Sequence, residues 1–243
     1  MGSEIPVEKV ESPQELANRL GLKFKDWLLL SRALTHRSYL NEHPEAIEDN
    51  ERLEFLGDAV LDFLVAVWLY HRYPEMPEGD LTRMRSALVH TEQLAEFARR
   101  IGLGRALRLG RGEAQAGGRD RPSLLCDTFE ALIGAIYLDQ GLEAVEAFLT
   151  PFLEEAAEDV LLHYRVEDPK SLLQEWAQSQ GLAAPRYITR NVYGPEHAKV
   201  FEVEVLINGK VCGWGSGSSK HAATKSAARD AIRRLGIVPE TML

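Results

Sequence analysis

The chain has 243 residues, 45% of them hydrophobic, with 37 acidic against 28 basic side chains and a net charge of −9. That is enough apolar material for one large domain or two smaller ones, and it excludes a mainly disordered chain. The opening MGSEIPVEKVESPQEL lacks a signal peptide's basic start and apolar run, no stretch is long enough to span a membrane, and Cys126 and Cys212 form neither zinc spacing nor a disulfide framework, so a cytoplasmic location is expected.

Residues 11 to 163 are leucine-rich and periodic, and they read as all helical. Helices are predicted over about 12–20, 26–34, 49–70, 80–87, 91–101, 122–139 and 143–163, with Pro151 kinking or splitting the last. The third contains NERLEFLGDAVL, Asn50 to Leu61, in which Glu51, Glu54 and Asp58 stand three and four apart. At about 100° per residue these acids share a narrow sector, while Leu53, Phe55, Leu56, Ala59, Val60 and Leu61 cover most of the rest. The helix is therefore expected to be buried, acids included. Asp127 and Glu130 repeat the pattern in CDTFEALIGAIYLDQG, and Glu78 in MPEGDLTRMR is a further candidate.

Clustered buried carboxylates repel one another until protons or metal neutralise them. If the two helices face each other, Glu54, Asp58, Asp127 and Glu130 would form an oxygen-rich cage suited to Mg²⁺ or Mn²⁺. Such a cage suits phosphodiester hydrolysis. Spacing alone leaves open a solvated helix face or partners for Arg52 and Arg83, and Asp62 falls on the same stripe.

Charge is unevenly distributed. Residues 1–150 carry 17 basic and 25 acidic side chains, whereas residues 168–243 carry 10 and 7. Within the acidic part, Arg99 to Arg121 holds seven arginines against Glu113 and Asp120, so a polyanion could dock there or the arginines could merely solubilise helix ends. The texture changes at His163 to Asp168, where the domain boundary is placed. Asp168-Pro169 opens a helix running to Gln180 and capped by Gly181, and strands follow at Arg186–Val192, Lys199–Ile207 and Lys210–Trp214. Asn208-Gly209 is a two-residue hairpin turn, and a last helix runs from Ser218-Ser219 to Leu235. Trp176 and Trp214 are read as core residues.

NERLEFLGDAVL resembles the signature of the ribonuclease III family, with Thr35-His36-Arg37-Ser38-Tyr39 before it and PEGDLTRMRSALV and GGRDRPSLLCDTFEALIGAIYLDQG after it, in the family's order. The resemblance implies an all-α catalytic domain over residues 12–141, its last helix extending to about 163. It implies that Glu54, Asp127 and Glu130 are Mg²⁺ ligands, with Asp58 a further candidate. Asp58 and Glu130 would be the catalytic carboxylates, with Glu51 and Glu78 in support. Two Mg²⁺ per site, with Mn²⁺ able to substitute, would serve cleavage of double-stranded RNA to 5′-phosphate and 3′-hydroxyl ends with short 3′ overhangs. The implied enzyme is a homodimeric endoribonuclease that processes ribosomal RNA precursors and other structured transcripts, messenger and some transfer RNA among them. Phe55 is a candidate interface residue, core packing being the alternative. Cys126 replaces the alanine common before that aspartate and reads as a packing residue.

Residues 168–237 resemble a double-stranded-RNA-binding domain of α-β-β-β-α order, notably in GPEHAKVF and GSGSSKHAATKSAARDAI. Such a module reads 2′-hydroxyls and phosphates, because A-form RNA hides its base edges in a deep groove. The resemblance assigns Gln174, Glu175 and His197 to minor grooves and Lys220 to phosphate. The usual basic cluster is thinned to Lys220, His221 and Ala222, with Lys225 further along, which predicts weak phosphate binding. Two further readings fit less well: a protein that shelters duplex RNA without cutting it, against which the intact Glu54, Asp58, Asp127 and Glu130 count, and a carboxylate-metal phosphohydrolase for small substrates, which leaves the C-terminal module unexplained.

Overall fold

The computed structural model describes residues 10–167, 169–195 and 198–237, and the chain divides into two units at Glu158/Asp159. The first unit is helical: α1 (Pro13–Leu20), α2 (Trp27–Ala33), α3 (Arg37–Leu40), α4 (Glu51–Arg72), α5 (Glu78–Leu88), α6 (Thr91–Arg100), α7 (Arg111–Gln115), α8 (Pro122–Gln140) and the start of α9 (Leu142–Glu167). Local chemistry sets the early boundaries. Ser12 and Glu15 form a reciprocal capping box on α1, which Gly21 terminates at φ 69°, and Asp26 caps α2 by accepting from the Leu28 N–H.

Helix α8 is the hub of this unit, packing against α2, α4 and α6. Leu124, Leu125, Phe129, Leu132, Ile133 and Ile136 are all buried, leaving little of its surface for solvent. Helix α4 crosses it without intervening side chains. A Cβ on Gly57 would overlap the Glu130 carbonyl, and one on Gly134 would overlap the Leu53 carbonyl, so each glycine admits the other helix's backbone.

Helix α4 departs from the expectation of full burial. Leu53, Val60, Leu61, Leu64 and Val65 are buried, but Phe55 is 82% exposed and Phe63 55%, and Asp58 and Ala59 are also exposed. An all-round apolar sequence predicts burial, but only the α8 side of this helix is covered within the chain. Pro151 neither splits nor ends α9, which continues through it. Buried Val145 and Leu149 before the proline and Phe152, Leu153, Ala156 and Ala157 after it keep one apolar face against the core. The short α3 and α7 were not expected, being too brief to show helical periodicity.

The second unit contains α10 (Pro169–Ser179), β1 (Arg186–Tyr193), β2 (Val200–Ile207), β3 (Lys210–Gly217) and α11 (Lys220–Leu235). The strands form one antiparallel sheet in the order β1-β2-β3. Asn208 (φ 50°) and Gly209 (φ 77°) both adopt left-handed backbone in the β2–β3 turn. Val203, Val205 and Ile207 face a core completed by Leu173 of α10 and Ala223, Ala227, Ala231 and Ile232 of α11. Asp168, the expected cap of α10, lies outside the described residues.

Strand β3 extends beyond Trp214, and its glycines explain why. Gly213, Gly215 and Gly217 lie against Ala231, Ala227 and Ala223 of α11 so closely that any Cβ would clash. The alternate position, Trp214, consequently points away from the helix and is 51% exposed, correcting its assignment to the core. Trp176 does pack against the core.

Helix propensity alone favours Gly57→Ala by about 1 kcal/mol. The crossing predicts the opposite sign, a loss of about 3 kcal/mol or more, because backbone must move to admit the methyl group. Urea denaturation of the variant measures which effect wins.

Candidate metal and RNA-binding sites

The α4–α8 crossing sets the spacing of the acids. Gly57 meets the backbone of Glu130 itself, with Glu54 and Asp58 on the turn around Gly57 and Asp127 one turn before Glu130. The electrostatic consequence is visible in the carboxyls. Burial pushes Glu130 up from 4.5 to about 8, reinforced by Asp58, Glu54 and Asp127. Glu54 is also raised, first by burial and then by Asp127, Glu51, Asp58 and Asp49. Every charged group acting on these two glutamates is acidic. Asp127 differs: burial raises it, and His36 opposes the rise.

Four of the sequence-derived acids, Glu54, Asp58, Asp127 and Glu130, thus interact directly through space. Glu51 stands at the edge of the group, 3.5 Å from the Arg37 guanidinium. Glu78 opens α5 and accepts from the Thr82 hydroxyl at 3.1 Å, and its charge is not among those acting on Glu54, Asp127 or Glu130. Ligand-capable atoms of Cys126, Asp127 and Glu130 lie within 4.8 Å of one another. The Cys126 thiol, 3.8 Å from Glu130 Oε1, is pushed far up by burial and its acidic neighbours, so it stays protonated and inert as a nucleophile. Half-buried carboxylate oxygens that repel one another suit a hard divalent cation, which would relieve the repulsion.

The arginines of residues 99–121 are largely engaged. Arg99, Arg100, Arg111 and Arg121 pair with Glu96, Glu155, Glu42 and Glu113. Arg108 donates to the Ser31 hydroxyl, and Arg119 to the Gly104 and Leu107 carbonyls. Arg99 thus pairs within α6 and Arg100 across to α9, while Arg111 stays largely exposed.

In the second unit, Gln174 and Glu175 are exposed on α10, which packs against α11. Lys220 is exposed in the first turn of α11, whose cap is Ser219, accepting from the Ala222 N–H at 3.1 Å. His221 is exposed beside it and Lys225 is half-buried. An N-terminus so arranged attracts anions through its free N–H groups and dipole. His197 lies outside the described residues. Sequence reasoning gave His36 no role, although its charge opposes the rise of Asp127; it stands at the N-cap of the short α3, which periodicity does not reveal.

The raised Glu130 gives the apoprotein a distinct pH dependence. The folded chain holds a proton between pH 4.5 and about 8 that the unfolded chain releases. This contribution is intact below 4.5 and is lost as pH rises through 8. In chelator, calorimetry should show the parent's Tm falling more steeply from pH 5.5 to 8.5 than that of Glu130→Gln, the variant being a few degrees more stable at the alkaline end.

A ribonuclease-III-like family model matches residues 26–156, and a double-stranded RNA binding motif matches residues 169–235. Ribonuclease 3 of Symbiobacterium thermophilum is 49% identical over 216 residues, spanning 89% of this chain and 91% of that protein. Ribonuclease 3 of Bacillus licheniformis is 45% identical over 229 residues, spanning 94% and 92%. The nuclease domain of ribonuclease III from Campylobacter jejuni superposes with a TM-score of 0.54 at 40% identity, covering 59% of this chain and 94% of that one. With helical nuclease unit, acid cluster and RNA-binding unit all in place, the chain belongs to the ribonuclease III family of double-stranded-RNA endoribonucleases.

Proposed function

We propose that this protein is a Mg²⁺-dependent endoribonuclease, with Glu54, Asp127 and Glu130 as metal ligands, Asp58 as a further ligand, and Asp58 and Glu130 as the catalytic carboxylates. The observation that carries the reading is the backbone contact of Gly57 with Glu130, which brings the stretch of α4 bearing Glu54 and Asp58 against the stretch of α8 bearing Asp127 and Glu130. When bound, Mg²⁺ supplies an activated water and charge relief on the scissile phosphate. The protein's part is to fix the carboxylates on two rigid helices, two ions per site being the expected complement and Mn²⁺ able to replace them. Glu51 and Glu78 support metal or RNA handling from the margin. The products are 5′-phosphate and 3′-hydroxyl ends with short 3′ overhangs.

Catalysis is assigned to residues 12–141, with its last helix reaching about 163, and RNA binding to residues 168–237. Gln174, Glu175 and His197 would meet minor grooves while Lys220 holds phosphate. A homodimer is supported by Phe55 and Phe63, exposed at 82% and 55% on one helix. In a second solved structure of the C. jejuni nuclease domain, structural flexibility is found in a region involved in that protein's dimer formation. Among the described residues no helix is long and apolar enough to cross a membrane; a cytoplasmic enzyme that processes ribosomal RNA precursors and other structured messenger and transfer RNA transcripts is the role inferred.

Cleavage of long duplex RNA with Mg²⁺, compared with single-stranded RNA and duplex DNA, tests the activity. Glu130→Gln should bind the duplex like the parent yet cut it at least 100-fold more slowly; parental cleavage would refute the site. Lys220→Ala should weaken binding to all duplex sequences and reduce the slope of log K against log salt by roughly one unit.

A further inference from the structure

Cys126 stands four residues before Glu130 and next to Asp127 on α8, and residues four apart on a helix share a face. The residue is only 5% exposed, and its sulfur is turned toward the acids, with Sγ 3.8 Å from Glu130 Oε1. One ligand atom each from Cys126, Asp127 and Glu130 lies within 4.8 Å of the other two. Among the described residues no other trio of histidine, cysteine or acidic side chains converges so closely.

The separation fits a shared metal ion. Zinc bonds of about 2.3 Å to sulfur and about 2.1 Å to a carboxylate oxygen put tetrahedral ligands about 3.6 Å apart. Sγ and Oε1 already stand 3.8 Å apart, so little side-chain movement closes them on an ion. The donors also differ in kind. Carboxylates satisfy any divalent cation, whereas sulfur is a poor ligand for Mg²⁺ and Mn²⁺ and a good one for Zn²⁺ and Cd²⁺. A hard ion at this centre uses oxygens alone. A thiophilic ion gains a third protein ligand from the same helix, with water left to complete the tetrahedron. On binding, the Sγ–H bond of the thiol breaks, a sulfur electron pair goes to the metal, and the proton passes to solvent.

We propose that Cys126, Asp127 and Glu130 form a mixed sulfur–oxygen site for a thiophilic divalent cation of the Zn²⁺ class, and that such an ion excludes the hard metal from the same carboxylates. The centre is thereby a point of inhibition by zinc. The inference rests on Asp127 and Glu130 being the residues that hold the catalytic metal.

Cd²⁺, a thiophilic ion of the same charge as Zn²⁺, reports sulfur coordination through ultraviolet sulfur-to-metal charge-transfer absorbance. Titrated into the full chain preloaded with Mn²⁺ and free of RNA, it should raise that band to saturation at an equimolar ratio while electron paramagnetic resonance records the release of bound Mn²⁺. Cys212→Ala should behave like the parent. Cys126→Ala and the near-isosteric Cys126→Ser should lack the band and bind Cd²⁺ at least about tenfold more weakly, yet bind Mn²⁺ within about threefold of the parent. No band in the parent overturns the proposal whatever the variants do, as does a band that survives Cys126→Ala or forms without releasing Mn²⁺. Asp127→Asn and Glu130→Gln separate this outcome from the reading beneath it. Parental Mn²⁺ affinity in both means that the metal centre itself is misassigned and the proposal falls with it, whereas weakened Mn²⁺ binding in both, with no sulfur band in the parent, means that only the role of Cys126 is wrong.

Discussion

The close crossing of α4 and α8 is the constraint on which the catalytic unit depends. Two helices ordinarily pack 8–10 Å apart, separated by side chains. Here Gly57 and Gly134 remove those side chains at the crossing point, and each helix's backbone enters the space a Cβ would fill. The acids are arranged around that point, so backbone packing sets how far apart the stretches of α4 and α8 that carry them stand.

This arrangement stores unfavourable electrostatics in the apoprotein. Glu54, Asp127 and Glu130 are half-buried with the exposed Asp58 beside them, and burial pushes Glu130 up to about 8. A domain tolerates such repulsion where it has ample core elsewhere, and here the buried aromatics Phe97, Phe129 and Phe152 and the leucines lining α8 supply it. The same repulsion becomes the driving force for cation binding, which is why functional sites are common exceptions to the rule that buried charges are paired.

The RNA-binding unit uses small residues for a similar purpose. Alternate glycines of β3 meet alternate alanines of α11, bringing the helix close to the sheet and turning Trp214 to the opposite face. Its start is fixed by Ser219, and Lys220 stands in the first turn, where charge and free N–H groups act together. In both units, close approach made possible by glycine determines where a charged terminus or carboxylate stands.

The sequence by itself determined the helical texture of the first part, the strand order and Asn208-Gly209 turn of the second, and the acids at helical spacing, because periodicity and turn chemistry are local properties. It also carried the family resemblance, since NERLEFLGDAVL is contiguous. Tertiary structure decided the rest. That α4 is covered on one side only, that α9 continues through Pro151, and that β3 runs on through glycines of poor strand propensity all depend on contacts between segments distant in sequence. Spacing can put Glu54 and Asp58 on one face, but only the backbone contact of Gly57 with Glu130 brings that face to the acids of α8, because a crossing distance is set by both helices together.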